Sequence, residues 1–139
     1  MTKFESSEKI IKVNRSNVYR FISDINNFNA LVPGDTVRDF EVDRDGCRFT
    51  VDGLGEVGVR VISREPEKKI MFESEGNVPF RINLLIELEE PDPDATLLKL
   101  ILEADLNMMM KMVAQTPLEN GVEEIASRLS DHLNNREWS

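Results

Sequence analysis

The sequence is poor in the residues that most often carry chemistry. Among 139 residues there is one cysteine, Cys47, and one histidine, His132. A single cysteine excludes an intramolecular disulfide and any multi-cysteine metal site. Cys47 alternates with apolar neighbours and reads as a buried small hydrophobe. A Ser-His-Asp or Cys-His arrangement would have to use His132, which falls in the last turns of a helical stretch beside Asp131 and reads as a surface residue. One His, one Cys and no convergent spacing leave no expectation of a metal or another cofactor.

Basic clusters are also missing. Lys and Arg number 17 against 26 Asp and Glu, a net charge of −9. Nucleic-acid affinity comes largely from phosphate neutralisation, so DNA and RNA are not expected partners. An anionic membrane surface is disfavoured for the same reason. No apolar run approaches the ~20 residues of a membrane span, so stable membrane insertion is not expected. The opening MTKFESSEKI has no long apolar region, and the expectation is a cytoplasmic protein.

Apolar material is plentiful: hydrophobic residues make up 40% of the chain and charged residues 31%. The length suggests a single domain over residues 1–139. Residues 3–13 read as an edge-type strand. Asn14 or Ser16 can cap a helix whose apolar face is Val18, Phe21, Ile22 and Ile25. Phe28, Leu31 and Val32 suggest a second short helix, ended by Pro33-Gly34. From residue 36 to 105 the period changes to two, giving about six strands with hairpin-sized connections. Such connections join antiparallel neighbours. Cys47, Phe49 and Val51 share one face, as do Val57, Val59 and Val61, and Phe80, Ile82, Leu84, Ile86 and Leu88. Arg48, Arg60, Arg81 and Asn83 lie on the opposite face. Helical character returns at Asn107, which can cap MMMKMVAQ. Thr116-Pro117-Leu118-Glu119 resembles a capping box with Pro at the first helical position. The stripe Leu118, Val122, Ile125, Ala126, Leu129 and Leu133 follows. Either one long helix kinked at Pro117 or two helices satisfy this pattern. The class is α+β.

Two local motifs test poorly. GLGEVG, residues 53–58, matches the G-x-G-x-x-G of dinucleotide-binding units. That fingerprint works because a helix starts at the glycines and offers its N-terminus to a pyrophosphate. Here VRVISRE follows, β-branched and alternating, so a Gly-rich bent hairpin is expected instead. The acidic run Glu87, Glu89, Glu90, Asp92 and Asp94 lacks the spacing of a calcium loop and is interrupted by Pro91 and Pro93. A third motif is more suggestive. Met108, Met109, Met110 and Met112 are four of the chain's six methionines. Their flexible thioethers suit either core filling or the compliant wall of an apolar cavity.

The order of elements, together with NVYRFISDINNFNALVP at 17–33, CRFTVDGLGEVGVRVISREP at 47–66 and ADLNMMMKMVAQTPLENGVEEIASRL at 104–129, resembles the START-like helix-grip superfamily. This superfamily is also labelled SRPBCC or polyketide cyclase/dehydrase-like. The likeness covers nearly the whole chain and falls with a bacterial subgroup of no settled activity. The Gly-rich hairpin is also similar to that of an accessory protein of carbon monoxide dehydrogenase. The resemblance implies a curved antiparallel sheet of about seven strands wrapped around a long C-terminal helix, with two short helices after the first strand. It also implies a cavity between sheet and helix that takes lipid-like, polyketide-like or quinone-like molecules. The superfamily has no common catalytic motif, so no catalytic residue is assigned. The expected function is binding or transport of a small apolar ligand. Its candidate contacts are Phe28, Val32, Phe49, Val59, Phe72, Phe80, Leu84, Met109, Met112 and Val113. Two alternatives stay open. One is a cyclase or hydratase using the same cavity, which would need titratable groups pointing into it. The other is an accessory module with a vestigial cavity, whose partner is another protein or a second copy.

Overall fold

Short connections between alternating segments should produce one antiparallel sheet, and they do. The computed structural model describes residues 1–30, 37–51, 55–76 and 80–136. Its elements are β1 (Thr2–Glu5), β2 (Lys9–Ile11), α1 (Arg15–Ile22), a 3-10 helix (Ile25–Ala30), β3 (Val37–Asp43), β4 (Gly46–Val51), β5 (Gly55–Glu65), β6 (Lys69–Glu75), β7 (Ile82–Asp92), β8 (Ala95–Ala104) and α2 (Met108–Asn135). The strand order is β1-β8-β7-β6-β5-β4-β3, with β2 following β1 along β8. The curved sheet and long C-terminal helix make an α+β helix-grip arrangement.

The eighth strand arises because the stretch expected as one strand is two. At Ser6 the side chain takes over half of the ladder: the Ser6 N–H still donates to the Leu100 carbonyl at 2.9 Å, but the Leu100 N–H donates to the Ser6 Oγ, at 2.9 Å, in place of a backbone carbonyl. Next to it, the Ser7 N–H and hydroxyl both donate to the Glu123 carboxylate, at 2.7 and 2.8 Å. The strand then resumes as β2, three residues later. The second short helix is the 3-10 helix; Leu31, Val32 and Pro33-Gly34 lie outside the described residues.

Both helices start as the polar residues before them dictate. The Asn14 Oδ1 accepts the Asn17 N–H at 2.8 Å, and the Asn107 Oδ1 accepts the Met110 N–H at 2.8 Å. These caps satisfy donors that the first helical turn leaves free. Pro117 does not divide the C-terminal segment: α2 is continuous through it. Thr116 therefore caps no new helix.

The glycine hairpin behaves as the alternation demanded. Gly55 opens β5 with φ 94°, a region open to glycine and costly to other residues, and strand continues to Glu65. Gly53 and Leu54 lie outside the described residues. The sheet bends at register shifts between Arg38 and Glu41, Val61 and Ser63, and Glu89 and Asp92. Asp39, at the first of these, has φ 55°. Such bulges re-aim the side chains that follow them.

The core lies on the inner face. Leu98, Leu100, Leu102 and Ala104 of β8, Ile86 and Leu88 of β7, and Ile70 and Phe72 of β6 meet α1 through Val18, Phe21 and Ile22. They meet α2 through Val122, Ala126, Leu129 and Leu133. Among the described residues, no helix is long and apolar enough to cross a membrane.

Candidate ligand-binding cleft

The helix does not cover the sheet evenly. α2 packs principally on β8, β2 and β1, at one edge, and its fully buried residues all lie from Val122 onward. The inner face of β4 to β7 extends beyond this contact. There the strands present Phe49 from β4, Val57, Val59 and Val61 from β5, Phe72 and Ser74 from β6, and Ile82 and Leu84 from β7. Phe72 and Val57 are buried; Phe49, Val59, Val61, Ile82 and Leu84 are half-buried against the core, as is Phe80 just before β7.

The register places most of the candidate contacts together. Phe72 sits opposite Leu84 on the neighbouring strand. Phe28, from the 3-10 helix, lays its ring 5.5 Å from that of Phe72, tilted by 56°. Phe49 and Val59 sit on adjacent strands one register step apart. Val32 lies outside the described residues. The helical candidates fall elsewhere: Met109, Met112 and Val113 are 77%, 83% and 76% exposed, and Met108 is 86% exposed. Counting about 100° per residue, Met108 and Met112 lie about 40° and 80° from Val122, on the side from which Glu123 reaches Ser7 and Lys9 at the β1–β2 edge; the partly covered residues of this half are Met110, Ala114 and Leu118. Met109 and Val113 lie about 140° and 180° away, on the far side of the helix.

Phe40 is an aromatic contact that the sequence pattern did not single out. Its ring stacks on Phe49 at 6.2 Å and 13°. Simple alternation along TVRDFEVD cannot place it, because the bulge at Asp39 shifts the phase between Arg38 and Glu41. Val61, Ile82, Leu106, Leu118 and Ile125 also pack half-buried against the core. Of these, Val61 and Ile82 were already on the correct face by alternation.

The inner register is chemically quiet. Its polar positions on β4 to β8 are Cys47, Arg64, Ser74, Thr96 and, at the far end of β7, Glu90, which pairs with Arg15 of α1. Burial pushes the Cys47 thiol up to about 11, helped by the negative charges of Asp43 and Glu75. A thiol held protonated in this way is a poor nucleophile. Arg64 turns to the α1 end, where it donates to the Ser23 carbonyl and to Asp45, both at 3.0 Å. The Ser74 Oγ accepts the Ile82 N–H at 2.9 Å, and the Thr96 hydroxyl donates to the Val13 carbonyl at 2.8 Å.

The outer face is the opposite. Arg60 donates to Glu75 at 2.9 Å and approaches Asp43, while Arg48 reaches Glu41 and Glu56. The Arg60 hydrogen bond holds the Glu75 carboxyl below its usual range. A recess of about 600 Å³ opens here, lined by Arg48, Glu56, Gly58, Glu75 and Gly76. At Gly58 the strands pack closely: a Cβ there would come within 3.1 Å of the Glu75 Cγ and backbone O. The last glycine of GLGEVG thus serves strand packing. The charges that line the recess are already paired, Arg48 with Glu56 and Glu75 with the neighbouring Arg60.

No protein-family model and no curated protein matches the sequence. Solved structures do match. Norcoclaurine synthase from Thalictrum flavum, in complex with dopamine and hydroxybenzaldehyde, is 13% identical with a TM-score of 0.79, over 99% of this chain and 89% of that one. The di-domain ARO/CYC BexL of the BE-7585A biosynthetic pathway is 16% identical with a TM-score of 0.70. The match covers 98% of this chain and 48% of BexL, so the chain spans about half of that protein. The Aha1 dimer from Colwellia psychrerythraea is 16% identical with a TM-score of 0.68, over 97% and 98% of the two chains. The chain has the START-like helix-grip fold. In helix-grip terms, the grip is closed at the β1–β8 edge, where α2 is buried. It is open over β4 to β7, where the half-buried apolar residues lie.

Proposed function

We propose that the protein binds a small uncharged apolar molecule in the cleft between the inner face of β4 to β7 and the first half of α2. The observation that carries this reading is the half-buried state of that face. A sheet surface of Phe49, Val59, Val61, Ile82 and Leu84 with Phe28, Phe72 and Phe80 is sealed in an ordinary core; here it stays partly open. Pockets for small ligands are mostly apolar with a few placed polar groups, and the Ser74 hydroxyl is the polar group of this floor. Phe28, Phe49, Val59, Phe72, Phe80 and Leu84 are the proposed contacts. The neighbouring norcoclaurine synthase holds two small aromatic molecules, which supports a ligand-binding use of the fold.

Binding is favoured over catalysis by the same face. General acid-base chemistry needs a titratable group near neutrality within reach of the substrate. The inner register offers a thiol raised to about 11 and, at the α1 end, an arginine engaged with Asp45 and a glutamate, Glu90, engaged with Arg15.

Native mass spectrometry of the purified protein, with organic extraction, is the test. A bound neutral mass of several hundred daltons is expected and would name the ligand class. Titration with Nile red, an uncharged apolar dye, supplies the site. Phe80→Asp places a charge on a half-buried floor position, and dye affinity should fall at least about tenfold, since burying an unpaired charge is costly. Glu73→Gln, on the outer face, should leave it unchanged. Equal dye binding by both variants would remove the cleft as the site.

A further inference from the structure

The hydrogen bonds of the inner register leave one group without a partner. The backbone ladder between β6 and β7 ends at the pair Glu73–Asn83. One step further the Ile82 N–H is taken up by a side chain, donating to the Ser74 Oγ at 2.9 Å. A backbone N–H needs such a partner, and the bond holds the Ser74 hydroxyl in place. It uses one of the two lone pairs and leaves the O–H itself. Among the described residues that O–H has no acceptor. The other donors of this register on β4 to β8 are spent or sealed. Thr96 donates to the Val13 carbonyl, and Arg64 to the Ser23 carbonyl and Asp45. The Cys47 thiol, a weak donor, is buried.

The surroundings of Ser74 are apolar. Val59 stands beside it on β5, and Val61, Phe72 and Leu84 form the next row across the strands. Phe72 lies two residues away, roughly 7 Å along the strand, and carries the Phe28 ring against its own. An apolar molecule lying on this floor displaces water from the Ser74 O–H and has to supply the acceptor that the floor lacks.

We propose that the ligand carries a carbonyl oxygen that accepts the Ser74 hydroxyl, on an apolar body that lies over Val61, Phe72 and Leu84 toward Phe28. The proposal rests on the ligand-binding reading above and names the class of molecule: an uncharged ketone or ester in preference to a hydrocarbon or an alcohol. A hydrocarbon leaves the O–H buried and unpaired, which is costly. An alcohol brings a proton of its own, and Glu90, the carboxylate of the inner register, is engaged with Arg15.

The test is competition with Nile red on the full chain. The probes are 2-acetylnaphthalene and 2-isopropenylnaphthalene, in which a methylene group replaces the carbonyl oxygen. Ser74→Ala should weaken 2-acetylnaphthalene about tenfold, through the lost hydrogen bond, and change 2-isopropenylnaphthalene less than about twofold. Ser74→Thr keeps the hydroxyl and suits a strand; it should restore the ketone to within about threefold of the parent. The infrared C=O stretch of the bound ketone should lie below its position in hexane for the parent and Ser74→Thr, and return to that position in Ser74→Ala. Equal losses for both probes in Ser74→Ala would mean that Ser74 only secures the Ile82 backbone. No loss for the ketone would mean that the hydroxyl does not meet the ligand. Either result overturns the carbonyl assignment and leaves the cleft in place. Failure of both probes to displace the dye also overturns it; if Phe80→Asp then leaves dye affinity unchanged as well, the cleft falls with it.

Discussion

The two halves of α2 are one helix by hydrogen bonding and two by environment. From Val122 to Leu133 the helix buries a full stripe and is held on both sides by polar contacts. At Asn134 the side chain completes the edge of β2: its Oδ1 accepts the Lys12 N–H at 2.7 Å, and its Nδ2 donates to the Ile10 carbonyl at 3.1 Å. From Met108 to Gln115 the helix has a capped start and no fully buried residue. The contrast teaches that apolar content alone does not anchor a helix. The anchored half carries Glu123, Arg128 and Asp131 and buries a full stripe, while the half that carries four methionines leaves three of them exposed and only Met110 partly covered. What separates them is access to a partner surface: α2 packs principally on β8, β2 and β1, and its fully buried residues all lie from Val122 onward.

The sharpest way to break this comparison is to empty the anchored half. Leu133→Ala, at a fully buried site, should cost about 3 kcal/mol from lost burial and a residual cavity, read by denaturant unfolding. Next comes the polar staple. Asn134→Ala removes two hydrogen bonds to the β2 backbone and should cost about 1–2 kcal/mol, with faster hydrogen exchange at the Lys12 amide.

The third effect is pH-dependent. Lys9, with help from the Ser7 amide and hydroxyl, holds the Glu123 carboxyl down at about 2, from an ordinary 4.5. Because the folded value lies below the unfolded one, the stabilisation is present above about pH 4.5 and is lost as pH falls toward 2. The Glu123 side chain is 43% exposed, so solvent screening reduces its contribution to about 1 kcal/mol. Glu123→Gln should therefore be less stable than the parent at pH 7 and should show a flatter stability profile between pH 4.5 and 2; equal slopes would mean the contact adds nothing. The smallest effect belongs to the exposed half. Met109→Ser should change stability by less than about 0.5 kcal/mol. A loss as large as that of Leu133→Ala would show that this half is buried in solution and would collapse the distinction.

Much of the architecture was legible because it rests on local periodicity. The switch from a helical period around Val18 to a period of two after residue 36, and back at Asn107, determines the element order. The alternation in Val57, Val59 and Val61, and in Ile82, Leu84 and Ile86, assigns the inner face correctly. The two asparagine caps act through side-chain oxygens a few residues from the amides they accept, so they too were readable. The break in the first strand was not readable, because it depends on the Ser6 hydroxyl replacing a backbone carbonyl as acceptor for Leu100, 94 residues away. Phe40 was missed for a related reason: one residue of left-handed backbone at Asp39 shifts the phase of β3.

The cleft was legible in composition and not in placement. Phe49, Val59, Phe72 and Leu84 carry the floor's face in their alternation. The helical contacts depend on where α2 meets the sheet. The sequence by itself determined an α+β chain with a one-sided apolar sheet, a capped C-terminal helix and no dinucleotide loop, because each of these follows from neighbours within a few residues. Only the tertiary structure decided that Pro117 leaves the helix continuous, that Gly58 makes room for Glu75 and Arg48 on an outer face, and that Met108, Met109 and Met112 stay exposed. Those outcomes depend on which distant strand lies beneath each residue, and local periodicity carries no information about that.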